Sequence, residues 1–124
     1  MKVSRRERGG VVLLDLEGKV LGGEESDCLR EEMERVIRER TPRLILNLSG
    51  VPWLNSSGLG ILLSGYLRLK EMGGVVKFIG MQERVRGILT TTKLIQVLEV
   101  LDDEAEAIAS FAGGGRGLSA SDAG

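Results

Sequence analysis

The sequence predicts a single α/β domain, with a mixed, mostly parallel sheet and about four helices packed against it. Short apolar runs, typical of strands buried on both faces, alternate with segments of helical apolar spacing. A chain of 124 residues suits one hydrophobic core, and no internal repeat divides it. Strands that alternate with helices favour a parallel sheet, in which the strand-to-helix loops gather at the carboxyl ends of the strands.

The elements are predicted in chain order from apolar spacing and from glycine and proline positions. Residues 2–8 pair across Gly9-Gly10 with a first apolar strand at 11–16. An amphipathic helix covers residues 24–40 and ends before Pro42. The remaining elements are a strand at 44–48, a helix at 58–72 that ends at Gly73-Gly74, a strand at 75–79, a helix at 82–90, a short strand at 97–100 and a helix at 102–112.

The domain is expected to span residues 2–112, with one hydrophobic core. Its predicted core members are Leu13, Leu44, Leu46, Leu62, Leu63, Val76 and Phe78. Residues 113–124 contain little besides glycine, serine and alanine, and we expect this tail to be disordered.

Composition argues against several classes of function. Histidine is absent and Cys28 is the only cysteine, so His-based catalysis, His–metal sites and an internal disulfide are excluded. Aromatic residues make up 3% and the net charge is −1, which disfavours nucleic-acid binding. No apolar run resembles a signal peptide or a membrane span. We expect a cytoplasmic globular protein without metal, cofactor or direct contact with nucleic acid.

Charge is unevenly distributed along the chain. Residues 24–40 hold seven acidic and four basic side chains, whereas residues 50–98 hold six basic and two acidic ones. One interpretation is a set of solvated helix faces; the other is a middle segment that meets a negatively charged partner.

The most informative segment is the predicted loop at 49–57, which leads into the second helix. Its last residues, Asn55, Ser56 and Ser57, are preferred helix N-cap types, so one of them is expected to cap the helix. The same position suits a phosphate, because free amides and the helix dipole stabilise an anion there. Gly58 and Gly60 leave room for a partner's backbone. Trp53 is either an interface side chain or, as favoured here, a core anchor.

Motifs for catalysis are not complete. Gly58-Leu59-Gly60 lacks the third glycine of a dinucleotide-binding fingerprint, and no GxxxxGK phosphate loop occurs. Ser56 and Ser57 have no histidine base. The protein is therefore not expected to be an enzyme.

The segment Asn55-Ser56-Ser57-Gly58-Leu59-Gly60, the helix ending at Gly73-Gly74 and the following Val75-Val76-Lys77 strand closely resemble the STAS domain. More narrowly, they resemble the bacterial anti-sigma factor antagonists. The resemblance covers about residues 3–110, and residues 16–18 and 44–49 also match the family pattern. It implies a mixed sheet with helices packed against it, in agreement with the fold class predicted above.

The resemblance also implies a partner switch. In such proteins an anti-sigma factor that is a serine kinase phosphorylates the antagonist, whose unmodified form binds that kinase and frees the sigma factor. A PP2C-type phosphatase reverses the modification. The acceptor carried over is Ser56, and Ser57 takes the position where the helix starts. The family usually has aspartate before the acceptor, whereas Asn55 keeps the capping oxygen without the charge.

The predicted partner surface combines the 49–57 loop, the exposed face of the following helix and the 80–82 loop. Its residues are Asn55, Ser56, Ser57, Gly58, Arg68, Gln82 and Arg84. The alternative is a STAS scaffold or sensing subunit, of the stressosome or lipid-transport type, without a kinase switch. A weak homodimer also stays open.

Overall fold

The structure is a computed structural model that describes residues 1–114, with side chains up to Phe111. Its strands are β1 (Lys2–Arg8), β2 (Val11–Glu17), β3 (Arg43–Gly50), β4 (Val75–Ile79) and β5 (Glu99–Leu101). Its α-helices are α1 (Asp27–Arg38), α2 (Ser56–Glu71), α3 (Glu83–Thr91) and α4 (Glu104–Gly114). Single 3₁₀ turns at Glu24–Ser26 and Leu94–Gln96 precede α1 and β5.

The strands form one mixed sheet in chain order, β1-β2-β3-β4-β5. β1 is antiparallel to β2, and the other neighbours are parallel. Gly9 and Gly10 join β1 to β2 with φ of 59° and 79°, the left-handed conformation that a tight hairpin turn of this type requires. The predicted fold class is confirmed.

The core consists of two clusters, one on each face of the sheet, so the prediction of a single core is wrong. Right-handed crossovers between successive neighbours place α1, α2 and α3 on the same face, above the larger cluster. Side chains alternate along each strand, and Leu13 therefore points to the opposite face, where α4 covers it. Leu63 is only partly buried at the edge of the larger cluster. The remaining predicted core residues lie in the larger cluster: Leu44, Leu46, Leu62, Val76 and Phe78.

Helix α4 covers the second face with Ala107 and Phe111. It ends at Gly114, so the first two residues of the predicted tail are helical, and the rest of that tail lies outside the described residues. The boundary at residue 112 stays a prediction. Among residues 1–114, no helix has the length and apolar character that crossing a membrane needs.

Ion pairs tie β1 to this second face. Arg6 binds Asp15 of β2 through two hydrogen bonds and also reaches Glu104 at the start of α4 at 2.8 Å. Through these contacts the Arg6 guanidinium lowers the pKa of both carboxyl groups. The pairs join the hairpin strand, the sheet and α4.

Candidate functional site

The loop between β3 and α2 presents three exposed polar residues at the start of the helix. The Oδ1 atom of Asn55 accepts a hydrogen bond from the Gly58 amide at 2.8 Å, so Asn55 is the N-cap and α2 begins at Ser56. The expectation that Ser57 marks the helix start is therefore corrected by one residue. Asn55, Ser56 and Ser57 are all exposed to solvent.

The segment that follows β2 holds this loop in place through backbone hydrogen bonds. The Val20 amide donates to the Trp53 carbonyl at 3.0 Å, and the Asn55 amide donates to the Val20 carbonyl at 3.2 Å. A Cβ atom on Gly58 would overlap that carbonyl oxygen. Gly58 thus makes room for the chain's own backbone, and not for a partner's as the sequence suggested. Gly60, in contrast, faces open space.

The two serines lie on different flanks of α2. Ser57 lines a groove between α1 and α2, together with Ile61, Arg68 and Met33. Ser56 is exposed at the first residue of α2 and is not among the residues that line this groove. Further along α2, the Tyr66 hydroxyl donates to the Val97 carbonyl at 3.3 Å.

The loop between β4 and α3 lies against the end of β3. The Gln82 side chain donates to the Ser49 carbonyl at 2.8 Å. Gly80 has φ of +69°, and a Cβ atom there would stand 2.9 Å from the Ser49 Cβ. These constraints hold the two loops side by side, as the parallel topology predicted.

An arginine–tryptophan contact also joins the two loops. The Arg84 guanidinium carbon lies 5.5 Å from the centroid of the Trp53 ring. Trp53 is 38% exposed, so the favoured interpretation of Trp53 as a core anchor is wrong. Its ring is a surface platform, and Arg84 lies over it.

Arg68 does not join the other predicted surface residues. It follows Ser56 by twelve residues, about 18 Å along the helix axis. Its guanidinium binds both carboxylate oxygens of Glu34 on α1, the shorter distance being 2.6 Å. This pair lowers the pKa of Glu34 and raises that of Arg68. The residues that the structure does bring to one end of the sheet are Asn55, Ser56, Ser57, Gly58, Gln82 and Arg84.

The loop between β3 and α2 carries no charge of its own, and Arg84 is the cation that lies against it. Residues 49–57 contain no acidic side chain, and the first turn of α2 has none either. Within the part of the chain that the structure describes, no group of three His, Cys, Asp or Glu residues could hold a metal ion. The site therefore offers hydroxyl, amide and guanidinium groups to a partner.

Sequence analysis missed the contribution of Val20 and Gly22. A Cβ atom on Gly22, whose φ is +80°, would stand 2.6 Å from the Ser57 Cβ. The Gly22-Gly23 pair was the available signal for a close backbone approach, but it does not identify the segment approached.

Comparison with known proteins places the chain in a family. The STAS domain profile matches residues 2–107. The anti-sigma F factor antagonist of Paenibacillus polymyxa is 26% identical over 109 residues, which cover 87% of this chain and 92% of that protein. The crystal structure of an anti-sigma factor antagonist from Mycobacterium paratuberculosis is 21% identical, with a TM-score of 0.77, and the match covers 88% of this chain and 92% of that one.

A further structural neighbour is the Bacillus cell fate determinant SpoIIAA in its phosphorylated form. It is 18% identical, with a TM-score of 0.68, and the match covers 87% of this chain and 97% of that one. These structures share the fold described above. Because the family profile spans nearly all of the described residues, the chain belongs to the STAS domain family.

Proposed function

We propose that this protein is an anti-sigma factor antagonist controlled by phosphorylation of Ser56. The observation that carries the proposal is the position of Ser56: an exposed hydroxyl at the first residue of α2, directly after the capping Asn55. Support also comes from the relatives described as anti-sigma factor antagonists and from the structural neighbour SpoIIAA, which is known in a phosphorylated form.

The partner is an anti-sigma factor that is also a serine kinase. In the modification, the Ser56 hydroxyl oxygen takes the γ-phosphoryl group of ATP, ADP leaves and the hydroxyl proton passes to a base of the kinase. A PP2C-type phosphatase hydrolyses the phosphoester and restores the hydroxyl. The unmodified protein binds the anti-sigma factor and thereby releases the sigma factor.

Phosphorylation acts on binding and leaves the fold unchanged. The new phosphate stands at the amino end of a helix, where free amides and the dipole favour an anion. Ser56 is exposed, so the folded chain does not have to move to accept the group. At a desolvated interface the same charge, if unpaired, costs several kcal/mol.

The partner contacts the end of the sheet where the two loops meet. This surface combines Ser56 and Gly60 of α2 with Trp53 and Arg84. The exposed guanidinium favours an acidic contact on the partner, because the loop holds no carboxylate that would repel one.

Calorimetric titration of the anti-sigma factor with variants of this protein tests the switch. Ser56→Ala is expected to bind like the unmodified protein and to resist the kinase, whereas Ser56→Asp binds at least about tenfold more weakly. Ser64→Asp is the matched control, because Ser64 is exposed on α2 two turns away, in the groove facing α1. Equal affinities for all variants would overturn the proposal, as would kinase treatment that leaves Ser56 unmodified by mass mapping.

A further inference from the structure

We propose that Arg84 is an internal receptor for the phosphate on Ser56, and that it leaves the Trp53 ring when Ser56 is modified. The inference rests on the proposed function, and it adds the residue that reads the modification. The resemblance to the anti-sigma factor antagonists does not imply this role for Arg84.

Arg84 has no strong partner in the unmodified protein. Among the described residues, Arg84 contacts the face of the Trp53 ring, with its guanidinium carbon 5.5 Å from the ring centroid. Both side chains are exposed. Arg86, two residues further along α3, approaches Asp102 instead. An exposed cation–π contact is weaker than the paired hydrogen bonds that a guanidinium makes with a phosphate.

The geometry brings Arg84 to the loop that leads into Ser56. Trp53 is three residues before Ser56, and its carbonyl is held by the Val20 amide. The Arg84 guanidinium over the Trp53 ring places the start of α3 beside the loop that ends at Ser56. Gln82 and Gly80 hold the start of α3 against β3, so the long Arg84 side chain needs only rotamer changes to move.

Movement of Arg84 would change the partner surface in two ways at once. The phosphate adds negative charge at Ser56, and the guanidinium that met an acidic partner is now occupied by that phosphate. The Trp53 ring is simultaneously uncovered. The switch therefore removes an attractive group as well as adding a repulsive one.

The experiment uses phosphoserine incorporated at position 56 during translation, so it requires neither the kinase nor the partner. Phosphorus NMR follows the second ionisation of the phosphate, whose ordinary pKa is about 6. The expected pKa is about 0.5–1 unit lower in the parent chain than in the Arg84→Gln variant, because a nearby cation favours the doubly charged form. Arg86→Gln is the matched control: it removes one cation from the same helix and is expected to leave the pKa unchanged.

The fluorescence of Trp53 gives a second readout, because it is the only tryptophan. We expect phosphorylation to change the emission in the parent chain and to have no effect in Arg84→Gln, whose fold is checked by circular dichroism. Equal phosphate pKa values in the parent and Arg84→Gln chains would overturn the inference. The proposed function fails by a different result: phosphorylated parent protein that binds the anti-sigma factor as tightly as the unmodified form.

Discussion

The contact between Gly58 and Val20 predicts that Gly58→Ala destabilises the protein. The added methyl group would overlap the Val20 carbonyl oxygen and stand 2.5 Å from its carbon. Those atoms belong to backbone, so no rotamer change relieves the clash. Val20 is itself fully buried and carries both hydrogen bonds to the site loop, so the strain reaches the loop directly.

The size of the change in stability follows from three contributions, of which the first stabilises the variant and the other two destabilise it. Alanine gains about 1 kcal/mol over glycine in helix propensity. Overpacking that moves backbone costs about 1–3 kcal/mol. Loss of the Asn55–Val20 hydrogen bond adds about 0.5–1.5 kcal/mol. The net expectation is a loss of about 0.5–3.5 kcal/mol in the free energy of unfolding.

Gly60→Ala is the control for this substitution. It adds the same methyl group to the same helix. Apart from the neighbouring residues and the backbone of the helix itself, no heavy atom lies within 4 Å of the new Cβ position. Only the propensity gain remains, so Gly60→Ala is expected to stabilise the protein by up to about 1 kcal/mol.

Urea denaturation followed by circular dichroism measures both variants, and the slope of the transition shows whether they unfold in the same manner as the parent. The urea midpoint is expected to be highest for Gly60→Ala, intermediate for the parent and lowest for Gly58→Ala. A Gly58→Ala midpoint equal to or above that of the parent would refute the packing argument, because it would show that the Val20 backbone can move without a loss of stability.

Three further predictions concern the cap, the ion pair on the sheet and the ion pair between helices. Asn55→Ala should lose about 0.5–2 kcal/mol of stability, whereas Ser57→Ala should change it by less than about 0.5 kcal/mol in thermal melts. The stabilisation that Asp15 gains from its lowered pKa is present above the ordinary value near 4 and is lost as pH falls through the lower pKa of the folded state; the stability gap between the parent and Asp15→Asn should therefore close as the pH falls below about 4. Arg68→Glu should weaken partner binding if Arg68 touches the partner or if its pair with Glu34 holds α2 in position, and calorimetry of the charge-swapped double variant Arg68→Glu/Glu34→Arg separates the cases: restored affinity points to the helix pair, persistent weakness to direct contact.

Much of the fold could be predicted because its strands have clear apolar patterns in the sequence. The run Val11–Leu16 is apolar at nearly every position, which is what a strand covered on both faces requires. The same run does not say which helix covers which face. Leu13 was assigned to the same core as Leu46 for that reason, and only the crossover geometry, together with the return of α4 beneath the sheet, separates them.

The candidate site was predicted where it depends on local chemistry and missed where it depends on distant contacts. Three cap-type residues before a helix are visible in sequence, but the choice of Asn55 depends on where β3 ends and on the Val20 backbone. Arg68 was grouped with the loops by its charge and its helix. Its position three turns away, beside Glu34, follows from how α1 packs on α2, which no local pattern contains.

The division between buried and exposed groups at this site determines how a modification can act. Most of the groups that position the loop are backbone atoms or buried residues, among them Val20, Gly58 and the carbonyl of Ser49 that receives the Gln82 side chain. Ser56 itself is exposed on the outer surface of that frame. A phosphate added there leaves the supporting contacts in place, so its free energy is expressed in contacts with other groups at the surface. Loss of partner binding at an unchanged unfolding free energy would therefore be an interface effect, and loss of both would show that the phosphate had disturbed the frame.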